Sequence, residues 1–456
     1  MPVNAFVAKS HVFHRALAHE PQKIVSGSGI SLTLESGRVV LDASAGPSVS
    51  VLGHRQPEVT QAIVDQLEQI AYVYSGSRYT CNAAEELADE LLKDAPGGLT
   101  KAIFVNSGSE ATDAALKLAT QYFYEIGQRK RVNFIGRKQS YHGNTLGALS
   151  ISGHESRREY YRPWISSNVS FVDPCYAYRA KDDSETDAQY VLRLKQQLED
   201  TFQALGPDTV AAFVAETVSG TTLGCVPPVQ GYLKAVREVC DKYGALLILD
   251  EIMCGMGKTG TMHAWEQDGI DGPDIQMIGK ALGGGFVPLS GVLLRQKIFD
   301  GIAGGTQVLA HGHTFQAHPT ACAAALADGE CLEIELQQQL DHMPYVGDIR
   351  GRGLFWAVEF ILDTELKTPF AREDNFSNRI VEVAAELGLD VLGNLGKTGE
   401  LDVELIIISP PYIVTREEIR SIVQLLKTAV GIVTEEYELR SCKTGQRGPV
   451  MVEGRL

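Results

Sequence analysis

The hydrophobic pattern of this chain switches repeatedly between short apolar runs and helical spacing, which predicts alternating strands and helices. Ile30 to Asp42 reads as a hairpin: Leu32 and Leu34 alternate, Glu35-Ser36-Gly37 turns the chain, and Val39 to Leu41 continue it. From Pro57 onward, Val59, Ile63, Leu67 and Ile70 fall on one helical face, and Ala84, Leu87, Ala88 and Leu91 form the apolar side of a second helix. Ala102 to Val105 is a short buried strand. It runs into Asn106-Ser107-Gly108-Ser109 and then a long helix carrying Ala111, Ala114, Ala115, Leu118 and Ala119. Val132 to Ile135 and Val210 to Ala215 are further strands. A helix over Val229 to Tyr243 leads to Ala245 to Leu249, apolar at every position, as strands covered on both faces are. That run ends in Asp250-Glu251. Strand Leu289 to Leu294 and a small-residue helix from about Pro319 follow. The last third continues with strand Leu354 to Phe360, helix Ser377 to Leu387, strand Leu405 to Ile408 and helix Arg416 to Val430. The whole predicts an α/β protein with a mainly parallel central sheet and a smaller α+β domain.

Composition narrows the class more than the activity. At 456 residues the chain can bury large cores and should form two or more domains. A net charge of −16 argues against a nucleic-acid or anionic-membrane partner, both of which need basic surface. None of the eight cysteines forms a C-x-x-C pair, so no zinc or redox site is indicated, and no other metal site is expected. Scattered cysteines fit a reducing compartment, and the expected location is cytoplasmic. No apolar run is long enough to span a bilayer. The first nineteen residues lack acids and contain Lys9 and Arg15; they read as an N-terminal arm.

Candidate chemistry centres on Gly279-Lys280-Ala281-Leu282-Gly283-Gly284-Gly285. A lysine held between a buried strand and a glycine loop can act as a nucleophilic amine; alone, it reads more simply as a surface residue. Two other features give it company. Open α/β sheets bind ligands beyond the C-terminal ends of their strands, where Asn106, Glu216 and Asp250 all fall. A Gly/Ser turn at the start of a long helix, here Gly108-Ser109, offers free N–H groups and hydroxyls to an anion, or simply caps the helix.

These motifs in this order resemble the class III (ornithine/ω-amino acid type) aminotransferases, pyridoxal-phosphate enzymes of fold type I. The matching pieces are Asn106-Ser-Gly-Ser-Glu-Ala111, Tyr141-His-Gly143, Asp250-Glu251 followed by Gly257-Lys-Thr-Gly260, Lys280 with its glycines, and His313-Thr-Phe315 through His318-Pro319. They run from about Asp42 to about Pro411. The resemblance implies an aminotransferase that moves an amino group from an amine, ω-amino or amino acid donor to a 2-oxo acid, with pyridoxal 5'-phosphate as cofactor. It implies that Lys280 forms the aldimine with the cofactor and carries the proton, and that Asp250 pairs with the pyridinium nitrogen. Gly108 and Ser109 would hold the phosphate. Tyr141 and Ile252 would pack on the two faces of the ring, with His142 and Glu216 lining the cleft. Thr314 would reach the phosphate of a neighbouring subunit, so a homodimer is expected. The implied domains are an N-terminal arm and part of the small domain at 1–54, a large cofactor-binding domain at 55–318, a C-terminal small domain at 319–436 and a tail at 437–456.

The departures from the family pattern bear on substrate. Many members carry an arginine three residues before the Pro-Pro pair to grip the substrate α-carboxylate; here that position is Ile407. The acidic residue that often gates it is Thr221. Either another cation, such as Arg78, takes the role, or the substrate is an amine or ω-amino compound. Lys258 stands where arginine is usual, and the segment between Pro319 and Arg350 is short by about a helix. Other chemistries on the same scaffold (aminomutase, racemase, decarboxylase, lyase) or a degenerate homologue without turnover are the alternatives.

Overall fold

The computed structural model describes residues 3–76, 78–324, 340, 343–363, 366–393, 398 and 403–444. In chain order, β1 (Ile24–Ser28), β2 (Ser31–Leu34) and β3 (Val39–Asp42) form an antiparallel meander that contains the predicted hairpin. Next come β4 (Leu99–Val105), β5 (Asn133–Arg137), β6 (Val169–Val172), β7 (Val210–Glu216), β8 (Leu246–Asp250), β9 (Ile275–Ile278) and β10 (Ser290–Arg295). They make one seven-stranded sheet in the order β4-β10-β9-β8-β7-β5-β6. Every pair from β9 to β6 is parallel, and β10 alone runs antiparallel to its neighbours β4 and β9. The mainly parallel sheet expected from the apolar runs is therefore present.

Strand periodicity sets the two layers around it. Ala212, Val214 and Ile248 point to one face, where they pack with Ala115, Leu118 and Phe123 of helix Gly108–Glu125. Phe213, Ala215, Leu247 and Leu249 point to the other, against helices Asp187–Leu205 and Tyr232–Tyr243. β7, β8 and β9 are buried at every position, which is why they carry no polar alternation. The helix predicted from Val229 starts at Tyr232, because Gly231 sits in the left-handed region at φ +89° just before it.

The remaining strands are β11 (Val346–Arg352), β12 (Phe355–Phe360), β13 (Leu389–Asp390), β14 (Leu392–Gly393) and β15 (Glu404–Ile408). β11-β12-β15-β14 form a second antiparallel sheet, while β13 pairs parallel with β3. One core joins the ends of the chain: Trp356, Phe360, Ile406, Ile408 and Leu426 pack with Ile30, Ala43 and Val51. The last helix runs Arg416–Thr444, beyond the predicted end at Val430 and into the expected tail. The reason is aromatic packing: buried Tyr437 stands edge-on to Phe370, Phe376 and Tyr345. Residues 325–339 of the short segment between Pro319 and Arg350 lie outside the described residues. Among the described residues no helix is long and apolar enough to cross a membrane.

Candidate active site

Two carboxylates stand side by side at the C-terminal edge of the large sheet, because Glu216 ending β7 pairs in register with Asp250 ending β8. Asp250 is buried and held on both oxygens. His142 Nδ1 is 2.8 Å from its Oδ2, and the Ile252 N–H donates to its Oδ1 at 3.0 Å. Glu216 accepts the Gly220 N–H at 3.1 Å and lies 3.9 Å from the Arg137 guanidinium. Burial raises its pKa, opposed by His142 and Arg137. The neighbouring Glu251 points away from the cleft. It accepts the N–H groups of Ala264 and Trp265 (2.8 Å each), the Gln276 amide (2.9 Å) and the Thr217 hydroxyl (2.7 Å), and is the structural member of the Asp250-Glu251 pair.

Lys280 follows β9 on the same edge. Its φ of +43° is rare for a residue with a side chain and costs on the order of 1–3 kcal/mol, a kind of strain that clusters at functional sites. Burial lowers its pKa; the nearby carboxylates of Asp250 and Glu216 oppose that shift. The glycines beyond it serve packing. A side chain on Gly284 would meet Leu52 at 3.1 Å, and one on Gly285 would meet Ser50 Oγ at 2.9 Å.

The Gly108 turn supplies the third part. Ser107 caps helix Gly108–Glu125 by accepting the Glu110 N–H at 3.2 Å, so the predicted cap is there. The N–H groups of Gly108 and Ser109, however, meet no acceptor among the described residues. Ser109 Oγ accepts the Asn144 N–H at 2.9 Å, which leaves its own proton to donate.

A cleft of about 470 Å³ brings these parts together. Of the sequence-expected residues, Gly108, Ser109, Tyr141, His142, Glu216, Asp250, Ile252 and Lys280 all line it. Thr314 does not; it is exposed, with its carbonyl accepting the Tyr72 hydroxyl at 2.6 Å. Asn106 also lies off the cleft, donating from its backbone to Glu110 at 2.7 Å, so only two of the three expected strand-end groups converge. Arg78 is exposed in a turn and does not line the cleft, whereas Thr221 does. Sequence reasoning missed Arg15, Arg157, Met253 and Leu392, which also line the cleft. Nothing in their spacing could have flagged them, because their place depends on how distant segments pack.

The family model described as aminotransferase class-III matches residues 14–430. The chain belongs to that family. It is 42% identical over 438 residues to an uncharacterised aminotransferase of Schizosaccharomyces pombe, covering 92% of this chain and 95% of that one. It also resembles a thermostable (S)-enantioselective omega-transaminase from Thermomicrobium roseum (TM-score 0.86, 31% identity, 94% and 97% of the two chains). A PMP-bound aminotransferase from Vibrio fluvialis is similar as well (TM-score 0.82, 27% identity, 91% and 93%). This chain is thus a fold-type-I aminotransferase that depends on pyridoxal phosphate.

The cleft of this aminotransferase fits that cofactor. His142 Nε2 is buried and, among the described residues, has no hydrogen-bond partner, while its Nδ1 meets Asp250. A side chain at Gly143 would strike Ser109 Oγ at 2.6 Å, and one at Gly108 would strike Ile252 at 2.9 Å, so both glycines keep the anion turn and the Ile252 wall in close contact.

Proposed function

We propose that Lys280 is the residue that carries the cofactor and moves the proton during transamination, and that the cleft around it divides the remaining work as follows. Bound pyridoxal phosphate supplies an aldehyde to receive the amino group and a ring that withdraws electrons from the substrate carbon. The N–H groups of Gly108 and Ser109, the Ser109 hydroxyl and the helix dipole would hold the phosphate. Asp250 would hold the ring nitrogen in its protonated state, since an anion beside a cation favours the charged form. His142 orients that carboxylate, and the Ile252 N–H fixes its other oxygen. Tyr141 and Ile252, which both line the cleft, would pack on the two faces of the ring. Lys280, kept neutral more readily by burial, would take a proton from the substrate carbon and return it to the cofactor carbon on the far side of the transferred nitrogen.

The observation that carries this reading is the shared cleft: a lysine with a lowered pKa, a braced carboxylate and an open helix N-terminus face one space. The donor would be an amine, ω-amino or amino acid, and the acceptor a 2-oxo acid. We further infer a homodimer with shared sites, which the exposed position of Thr314, off its own cleft, supports. Light scattering behind size exclusion should give twice the chain mass; an active monomer would sink this part. A large domain at 55–318 flanked by a small domain built from 1–54 and 319–436 is supported by the core that joins Ile30 and Val51 to Trp356 and Leu426. A cytoplasmic location is supported by the six unpaired cysteines among the described residues. The roles are tested by loading the enzyme with cofactor and adding donors singly. Stoichiometric consumption of a 2-oxo acid is expected, and amine turnover without it would favour a different reaction on the same residues.

A further inference from the structure

The cleft has two ends of opposite charge. Its buried end holds Glu216 and Asp250, while Arg15 and Arg157 line the outer end. Arg15 is exposed and Arg157 half-buried on the single turn Glu155–Arg158. The Arg157 guanidinium carbon lies 4.7 Å from the centre of the Tyr141 ring. Such stacking fixes the plane of the guanidinium without using its N–H edge. The neighbouring arginines are engaged: Arg158 donates to the Ser152 carbonyl at 3.2 Å, and Arg162 pairs with Glu155 at 2.5 Å. Neither Arg15 nor Arg157 has a carboxylate partner among the described residues.

Apart from Arg15, Arg157 and Lys280, the last of which the proposed function commits to the cofactor, no lysine or arginine lines the cleft among the described residues. Ile407 is fully buried in an apolar cluster with Val218 and Cys254, against which Met253 and Leu392 pack. Val218, Cys254, Met253 and Leu392 also line the cleft, so that wall is apolar, with Thr221 beside it. Burial lowers the pKa of Arg157, and the charge of Arg15 lowers it further. An anion between two such cations would relieve both effects.

We propose that Arg157, assisted by Arg15, receives the carboxylate of the substrates: that of the 2-oxo acid in one half-reaction and that of amino acid donors in the other. The proposal rests on the aminotransferase reading of the Lys280 cleft. A guanidinium locked against a ring presents a planar fork that matches a carboxylate at two points. Donors without a carboxylate would instead use the apolar wall, so one cleft serves two substrate classes.

The test uses the holoenzyme and follows each half-reaction by the cofactor's absorbance. Pyruvate and β-alanine are the carboxylate probes, and 1-phenylethylamine is the neutral one. In Arg157→Leu, kcat/KM for pyruvate and β-alanine should fall about 100-fold, the effect of removing a charged hydrogen-bond partner. The loss for 1-phenylethylamine should stay under about fivefold. Arg157→Lys should recover part of the loss, and Arg15→Ala should cost pyruvate about fivefold to tenfold. Acetate should compete with pyruvate in the wild type and much more weakly in Arg157→Lys, a readout that stands even if Arg157→Leu does not fold. Equal losses for charged and neutral probes would overturn the proposal, because Arg157 would then act only by supporting Tyr141. So would unchanged pyruvate kinetics. If the wild type converts none of the three probes while binding cofactor, the aminotransferase reading of the cleft falls, and this proposal with it.

Discussion

Two lysines in this chain have lost most of their water, and the loops around them put that loss to different uses. Lys258 follows β8 and is fully buried; Lys280 follows β9 and borders the cleft. Burial is the main cause of a lowered pKa in both, reaching about 7 for Lys258. Lys258 spends its amine on structure. Its Nζ donates to the Pro410 carbonyl at 2.8 Å and lies 5.2 Å from the Tyr412 ring centre, while its own carbonyl accepts the Leu354 N–H at 3.0 Å. It thus ties the loop after β8 to the segments beyond β11 and β15. Lys280 faces the charges of Asp250 and Glu216 across a space where a ligand can lie. Burial alone makes an amine easier to deprotonate. Only access to the cleft, next to a braced carboxylate, makes that amine a reagent.

The sharpest way to break this contrast is to remove Lys280. On the proposed roles Lys280→Ala would take away both the covalent anchor and the proton carrier, so turnover should fall by at least about 10⁴-fold. The visible absorbance of lysine-bound cofactor should vanish while the fold is retained, as circular dichroism would report. Appreciable transfer activity in this variant would show that the wrong lysine was assigned.

The adjacent carboxylates sharpen the contrast in the same way. Asp250→Asn keeps the shape, disturbs the His142 contact and, on the proposed role, would remove the charge that pairs with the ring nitrogen. Activity should fall on the order of 10²- to 10³-fold with little change in melting temperature. Glu251→Gln should do the reverse. An amide cannot accept all four of the donors that converge on Glu251, and its NH₂ would face N–H groups. Leaving such groups unpaired costs about 2–3 kcal/mol, visible in the denaturation midpoint, with activity per folded molecule nearly kept. If the two variants exchange phenotypes, the division of labour between them is wrong.

What the sequence could and could not say follows from the range of each signal. The apolar run Ala245 to Leu249 marked β8 as a strand covered on both faces, because full burial removes polar alternation locally, as it also does in β7 and β9. Lys280, Asp250, Glu216 and the Gly108 turn were legible since each sits at a strand end or helix start, which sequence marks. The outer end of the cleft was not. Arg15, Arg157 and Leu392 reach it from three remote segments, and no local pattern encodes that meeting. The extension of the last helix to Thr444 was missed for a similar reason: Tyr437 is held by aromatic residues far away in sequence. Glu251 shows the limit from the other side. Its role as a hub for four donors depends on residues from Thr217 to Gln276.

The smallest effect concerns Lys258, and its sign is fixed by its pKa. Below about 7 the folded protein carries a buried ammonium, and the cost of that burial is fully present. Between about 7 and the ordinary lysine value of 10.5, the unfolded chain binds a proton that the folded one does not. Stability therefore rises with pH across that window, by up to about 1.4 kcal/mol per pH unit. Lys258→Met removes this dependence and leaves the Pro410 carbonyl without its donor, a loss of about 1 kcal/mol. The variant should exceed the wild type in stability near pH 6 and fall behind it only near the ordinary lysine value of 10.5, whereas Lys280 contributes equally to both proteins and cancels. Denaturant titrations at the two pH values check the crossing. Parallel curves would mean that Lys258 keeps its proton throughout. In that case burial, the one property the two lysines were said to share, would have left its mark on Lys280 alone.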